Sequence, residues 1–489
     1  MKNLYQYYLF QLKKNPNKIF CADSSHTYSF NEVGELLYNL KLRLDKFKLK
    51  KKSIISVVID NSLEYLLVFL FCLKENYIFN PYPHNMTKND ISRYIERLPC
   101  KLLISNQKFK NLKKKSYFEI NKNNLNFPLN ANQKSFYLNN FFRPNIEDTF
   151  SLYYSSGTTA NPKIIEYSFH NLIALSKSIT TSFKFSNQSR HMIVLPLGHT
   201  ASLNYSLVPM IKSGGFIYFE NRNFDFVSRN VFKIIKKFKI NYIQLVPSLL
   251  TSILYLSKKT NSNLKLIGCG SSKLSISVKE KFEKKFSTKV INLYGLSETG
   301  PTHYIYNKSS KEKDTLGKPL QGVKHKILID NKFYDVDTKI GEICINSKNV
   351  FKNYYKNKKL YKKSFFKSFF KTGDLGYIDK NGNLNYTGRK KELIIKNGIN
   401  ILPDEIDEIL EKHKDVRSSL SISSENILSG EIIKSYIVSN KKVSEKSIIK
   451  HCNKYLSAHK IPDQIIFVDS LPKTPSGKFS RKLLNEKFK

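Results

Sequence analysis

Residues 371–407 read KTGDLGYIDKNGNLNYTGRKKELIIKNGINILPDEID. Within this stretch one architecture gives way to another. Upstream, from Gly317 to about Tyr386, short apolar runs alternate with turns, and DKNGN at 379–383 is a hairpin signal. Downstream the pattern predicts a compact α+β tail, with helices over 403–412 and 445–456. Lys371, Thr372, Gly373 and Asp374 place a carboxylate just after a tight turn, where it can accept from two ribose hydroxyls. Taken alone, such a set of four residues is more often a solvated turn.

Working outward, the chain before residue 317 alternates strands with helices. Strands are predicted over 53–59, 77–80, 101–105, 192–196, 216–220, 242–246, 264–269 and 290–294. Helices are predicted over 63–74, 170–183, 201–212, 227–238, 248–256 and 278–286, a pattern of parallel β-α units. Near the N-terminus a helix precedes a short hairpin around Thr27 to Phe30, and a second helix starts at about Asn31. Asn31 is its expected cap, and Leu36, Leu37, Leu40 and Leu44 fall on one face. Residues 106–148 are polar, aromatic and aperiodic, and read as a passage between subdomains.

Three further stretches carry chemistry. Residues 152–168, LYYSSGTTANPKIIEYS, start as a strand and then crowd Ser155, Ser156, Gly157, Thr158 and Thr159 into one turn, with Lys163 after Pro162. Small residues let backbone N–H groups approach an anion, hydroxyls add donors, and the lysine adds a charge. An ordinary Ser/Thr-rich loop reads the same way. Residues 292–299, NLYGLSET, sit at the C-terminal end of a predicted parallel strand, where ligands of open α/β sheets gather. There Tyr294 offers a ring face, Asn292 an amide, Thr299 a hydroxyl and Glu298 a carboxylate suited to Mg²⁺. Residues 472–478, PKTPSGK, present Lys478 on a turn.

The chain has 489 residues, 40% of them hydrophobic and 13% aromatic, which fits a globular protein with large cores. Lys plus Arg number 82 against 39 Asp plus Glu, a net charge of +43. The lysines are spread along the whole chain rather than gathered in a stripe, and they accompany abundant Asn, Ile, Phe and Tyr. All of these have A/T-rich codons, so base composition explains the excess and nucleic acid is not an expected partner. The six cysteines form no CxxC pair, which predicts neither a zinc site nor a disulfide framework but free thiols in a reducing cytosol. Residues 1–15 lack signal-peptide character, and the longest apolar run, 65–73, is too short to span a bilayer. A cytoplasmic protein without a transmembrane segment is expected.

In this order and spacing the stretches resemble the adenylate-forming (AMP-binding) superfamily, which comprises acyl-CoA synthetases, adenylation domains of peptide synthetases and firefly luciferase. The resemblance runs nearly end to end and is carried most strongly by residues 371–407, with YGLSET and PKTPSGK beside them. It implies a large N-terminal domain, 1–389, of stacked α/β subdomains plus a distorted β-barrel, and a small mobile α+β C-terminal domain, 390–489, hinged at Lys391. By the same resemblance Ser155 to Lys163 would hold the ATP β- and γ-phosphates, with Thr158 and Glu298 at the metal. Asn292, Tyr294 and Gly295 would hold adenine beside the turn at Gly270 and Ser271, and Thr299 the α-phosphate. Asp374 would take the ribose hydroxyls, with Arg389 nearby. Lys478 would bridge the attacking carboxylate and the α-phosphate, and Gly398 would line the thiol tunnel.

The implied reaction is ATP- and Mg²⁺-dependent activation of a carboxylic acid, then transfer to coenzyme A. The alternative acceptor is the phosphopantetheine of an acidic carrier protein, and the positive charge would help attract any of these anions. The family's phosphate loop runs S-G-T-T-G-x-P-K-G, and here Ala160 and Ile164 replace its last two glycines. Amino-acid-activating members carry an aspartate two residues beyond the position of His199. Here that position is Ala201, and the surroundings (His199, Asn204, Tyr205) resemble acyl-CoA synthetases. The expected substrate is therefore a fatty or aromatic acid without an α-amino group, a role in fatty acid metabolism among the possibilities.

Overall fold

The computed structural model describes the chain apart from residues 1–2, 110–115, 122–124, 126–130, 155–162, 259–263, 273, 306–314, 427–429, 440–442, 475–477 and 489. Among the described residues the strands form sheets of nine, seven, six and five members. The nine-stranded sheet runs in the order Lys318–Pro319, Gly300–Tyr304, Lys289–Leu296, Leu266–Gly270, Tyr242–Leu245, Arg190–Ile193, Phe216–Phe219, Ile19–Ala22, Thr27–Ser29. Its middle six strands are parallel and only its edges turn antiparallel. The seven-stranded sheet has the parallel strands Ile78–Pro81, Ile54–Val58 and Cys100–Ser105 near its centre.

These parallel strands are apolar on both faces because helices cover both. One hydrophobic cluster runs from Leu4 to Leu384, uniting the two large sheets with the third. A second packs the opposite face of the nine-stranded sheet, with Met192, Ile243, Ile267 and Val290 against Val231, Leu250 and Phe282. The third sheet is all antiparallel and holds Asp337–Ser347, Phe369–Ile378 and Leu384–Arg389. It curls as a half-barrel, because its strand order does not return on itself, which is the form the expected distorted barrel takes. From Ile394 onward the chain has cores of its own on both faces of the five-stranded sheet, the structural basis of a small C-terminal domain.

Some details differ from the sequence expectation. The second helix, Phe30–Leu44, is capped by Ser29 and not by Asn31. Ser29 and Glu32 form a reciprocal capping box, which satisfies two otherwise orphaned backbone donors. The supposed passage at 106–148 contains the strand Ser116–Glu119 and the helix Ala131–Asn139. The helix expected over 201–212 is interrupted by a π-helical turn, Leu203–Leu207. Pro209 explains the interruption. It lacks an N–H, and its ring would clash with the carbonyl of Tyr205 in a regular helix. All six cysteines are free and buried.

The two large sheets meet tightly at Gly198, where a Cβ would fall 2.2 Å from the Tyr82 carbonyl carbon. Both neighbours are backbone, so neither can step aside. Gly198→Ala is expected to destabilise the protein by roughly 1–3 kcal/mol in urea unfolding, the usual cost of overpacking. An unchanged midpoint would mean the sheets are not locked there.

Candidate active site

The site is built around one carboxylate. Asp374 lies on Phe369–Ile378 directly opposite Arg389 on Leu384–Arg389, so the antiparallel ladder itself sets acid against base. Arg389 Nε lies 3.0 Å from Asp374 Oδ1, and the Tyr294 hydroxyl donates to Asp374 Oδ2 at 2.8 Å. Tyr294 arrives from the nine-stranded sheet, so the carboxylate joins that sheet to the half-barrel. The turn before it is fixed as well. The Asp374 backbone N–H donates to the Thr372 hydroxyl, which donates to the Ile343 carbonyl. Glu342 accepts from the Gly373 N–H at 3.1 Å and from Lys390 Nζ at 3.2 Å, clasping both strands. Burial pushes the Asp374 carboxyl up, while Arg389 and the Tyr294 hydroxyl pull it back. The carboxylate in turn holds the Arg389 guanidinium above its usual range.

Lys478 reaches this group from the far end of the chain. Its turn is closed by Thr474, whose N–H donates to the Lys478 carbonyl and whose hydroxyl accepts from the Lys478 N–H. Desolvation, and after it Arg389, lower the Lys478 amine to about 8 against the opposing pull of Asp374. Burial lowers His199 to about 3, with Lys478 and His84 as secondary causes, so His199 is neutral. Arg481, three residues on, anchors the segment. It pairs with Glu392 and Asp404 at 2.6 Å and with Asp407 at 2.5 Å. Asp404 also accepts from the Tyr386 hydroxyl at 3.1 Å, a bond back to the half-barrel.

A second group of residues lines the ends of the parallel strands. Gly270 closes Leu266–Gly270, and a Cβ there would lie 2.6 Å from the Leu293 carbonyl oxygen. Ser271 follows with φ +77°, a left-handed conformation costly for a non-glycine residue and common at functional sites. Asn292 keeps a buried Oδ1 without a partner among the described residues. Gly295 sits at the irregular step in the ladder, where a Cβ would come 2.3 Å from the Gly300 carbonyl oxygen. The Thr299 hydroxyl accepts from the Leu296 N–H and donates to the Gly300 carbonyl, so it closes the turn. The Glu298 carboxylate accepts from the Tyr354 hydroxyl at 3.1 Å. Lys163 Nζ lies 3.5 Å from that same hydroxyl.

The structure thus brings together Asp374, Arg389, Tyr294 and Lys478, with His199 in electrostatic reach, and separately Glu298 with Lys163. Asn204 is buried beside Gly300, whose missing Cβ would lie 3.7 Å from its amide nitrogen. Tyr205 sits in the π turn with its hydroxyl buried. Ser155, Ser156, Gly157, Thr158, Thr159 and Ala160 lie outside the described residues. Ile164 opens the strand Ile164–Ser168, an extended backbone that suits a β-branched residue. Lys391 lies in the short turn Lys390–Glu392 between half-barrel and small domain. Gly398 lies on the hairpin of Ile394–Lys396 and Ile399–Ile401 in the small domain. With Asn397 (φ +52°) it forms a two-residue hairpin turn at φ +77°, exposed to solvent, and the turn alone requires a glycine.

Sequence reasoning missed Tyr354, Glu342, Tyr386 and Arg481. Each acts across a long sequence separation. Arg481, three residues after Lys478, was the most findable, because a buried cluster of acids needs a cation. Glu298 fits a magnesium ion that keeps most of its ligands on phosphate oxygens, since Mg²⁺ is usually held by one or two carboxylates. Among the described residues no cluster of three or more His, Cys, Asp or Glu could hold a metal, and no helix is long and apolar enough to cross a membrane.

Comparison with known proteins agrees with this geometry. The AMP-binding enzyme family matches residues 10–355, and the AMP-binding enzyme C-terminal domain matches 405–478. The oxalate–CoA ligase of Saccharomyces cerevisiae is 28% identical over 350 residues, 70% of this chain and 63% of that enzyme. This chain therefore spans less than two thirds of the yeast protein. The 2-succinylbenzoate–CoA ligase of Bacillus pumilus is 26% identical over 476 residues, 96% of each chain. Among solved structures, ATP-bound MatB from Rhodopseudomonas palustris superposes with a TM-score of 0.88 at 21% identity, covering 100% of this chain and 99% of that one. The o-succinylbenzoate CoA synthetase of Bacillus subtilis, in complex with its acyl-adenylate, gives 0.88 at 23%, covering 98% and 97%.

The position of Lys478 is open to direct titration. Its folded value lies below the ordinary 10.5, so the charged amine opposes this packing below about pH 8, and stability is gained as pH rises from there toward 10.5. NMR of labelled lysine side chains should find one amine titrating near 8. Asp374→Asn, which removes the one favourable charge, should move it lower still. A midpoint near the ordinary value would mean that Lys478 is not buried here.

Proposed function

The chain belongs to the AMP-binding enzyme family, and from that premise we propose that it is an AMP-forming acid–thiol ligase that makes an acyl-CoA. The observation that carries this reading is the approach of Lys478, from the small domain, to Asp374, Arg389 and His199 of the large one. A carboxylate is a poor electrophile and needs a good leaving group before a thiol can displace anything. Its attack on ATP brings two anions together, and a preorganised cation offsets that repulsion. Lys478 is suited to the task, since desolvation strengthens its attraction for both partners.

In the first half-reaction a carboxylate oxygen attacks the α-phosphorus. The bond from that phosphorus to the β-phosphate bridging oxygen breaks, and pyrophosphate leaves. Asn292 Oδ1, an acceptor without a partner among the described residues, suits the adenine amino group, beside Tyr294 and the Gly270–Ser271 turn. Asp374 would accept from the ribose hydroxyls while Tyr294 and Arg389 hold it in place. Glu298 would hold magnesium, which neutralises phosphate charge when bound, with Lys163 and the residues from Ser155 to Thr159 on the outgoing phosphates. Thr299 would face the α-phosphate by turning its proton away from Gly300.

In the second half-reaction a thiol loses its proton, attacks the acyl carbon and expels AMP. We place the domain boundary at 389/390 and the hinge at Lys391, so that the small domain turns Lys478 out and brings the Gly398 hairpin in. Lys391 lies in a short turn and Gly398 is exposed, which supports this division. The two curated relatives above are named for CoA, which favours CoA over a carrier protein. Ala201 leaves no carboxylate for an α-ammonium group, so the acid is one without an α-amino group.

Hydroxylamine trapping with ATP, Mg²⁺ and a panel of acids tests the first half-reaction, and addition of CoA tests the second. Lys478→Ala should slow adenylation roughly 10²–10³-fold, by analogy with loss of an oxyanion donor, yet spare thioester formation from presynthesised acyl-adenylate. Equal losses in both half-reactions contradict the two-orientation mechanism.

A further inference from the structure

Four polar side chains gather on the side of the nine-stranded sheet that faces the π turn. His191 and Tyr242 are register partners on adjacent parallel strands, with ring centroids 4.5 Å apart. Gln244 follows Tyr242 by two residues, hence on the same face. Tyr205 belongs to the π turn itself. Phe183 stands edge-on to both tyrosine rings, 6.2 Å from each. The four are 0% (His191), 1% (Tyr242), 4% (Gln244) and 6% (Tyr205) exposed. Both His191 nitrogens, the two tyrosine hydroxyls and Gln244 Oε1 have no hydrogen-bond partner among the described residues.

Buried polar atoms are almost always paired, so several orphans in one place point to a group that enters from outside. The cluster adjoins the nucleotide edge. A Cβ at Gly268, two residues before Gly270, would lie 2.5 Å from the Tyr242 hydroxyl. That hydroxyl therefore lies directly on the strand and closes the space there, which limits the length of any acid between it and Lys478. Charge is also excluded. Burial alone lowers His191 to about 3 and raises Tyr205, and among the described residues no lysine, arginine or carboxylate shifts either. Neutral His191 offers one N–H and one bare nitrogen, and the tyrosines offer two O–H groups. Donors and acceptors are present without a countercharge.

We propose that this cluster reads an uncharged hydrogen-bonding group, a hydroxyl, ketone or amide, at the far end of a compact carboxylic acid. The inference rests on the ligase reading above and narrows its substrate. A long saturated tail would leave the polar atoms unpaired. A second carboxylate would be buried without a cation, which is costly. Of the fatty and aromatic acids expected from the sequence, compact oxygenated ones remain.

Two matched series test this by hydroxylamine trapping: benzoate, 4-hydroxybenzoate and terephthalate, and pentanoate, 4-oxopentanoate and glutarate. The uncharged oxygenated acid should lead its series in kcat/KM by about tenfold or more, since a site built to bond a polar group rejects analogues lacking it. Tyr242→Phe removes a single oxygen. It should cut that preference about five- to tenfold, and should raise the Tm of the free protein by removing an orphaned hydroxyl. Leadership by the plain or the dianionic acid in both series overturns the inference but leaves the ligase reading intact. So does a preference unchanged in both Tyr242→Phe and Tyr205→Phe. If no acid is trapped although calorimetry shows MgATP binding, the inference falls alone. If MgATP does not bind either, the ligase reading falls with it.

Discussion

Asp374 is a buried carboxylate that three parts of the chain must keep company. A buried charge survives only when paired and hydrogen-bonded. Here the base comes from the next strand of the half-barrel, the hydroxyl from the nine-stranded sheet, and a third charge, Lys478, from the small domain. Removing any one partner leaves the others worse solvated. The packing of the three bodies and the electrostatics of the site are therefore one constraint. The small domain's approach is stabilised by Asp374 and opposed by Arg389, and anionic substrate between Lys478 and Arg389 would relieve that opposition. In the proposed reaction, charge would therefore couple the small domain's approach to substrate binding.

The network around Arg481 adds a second property. It binds Glu392, Asp404 and Asp407 within the small domain, while only the Tyr386–Asp404 bond among those described for this network reaches the half-barrel. Lys478 thus rides on a well-braced body, which meets the half-barrel through Tyr386–Asp404 and Lys390–Glu342. Such an arrangement would suit the rotation proposed above, in which the small domain turns as a unit without losing the geometry of its lysine.

Much of this was legible in the sequence because it is local or periodic. The parallel β-α alternation was readable from apolar runs of the right length, and Asp374 from its turn. Lys478 was readable only through its motif, since a lone lysine near a chain end carries no physical signal of its own. What was missed depends on partners far away in sequence. Tyr354 meets Glu298 and Lys163 across a fold that periodicity does not report. Two misses were local and had signals. Ser29 and Glu32 spell a capping box, yet Asn31 looked as good a cap in isolation. Pro209 lies inside an apolar helix, and the π turn is its consequence.

The burial of every cysteine has a meaning beyond redox state. An acyl-adenylate is an electrophile that any thiolate in reach will capture, and the ligase proposed here releases its product to a thiol by design. Its own six thiols are all enclosed. Burial raises Cys344 to about 12 and Cys452 to about 11, and pushes Cys72 and Cys269 up as well, which keeps these four protonated. In the proposed reaction the protein's own thiols would thereby be kept from competing for the intermediate with the thiol that arrives from solution.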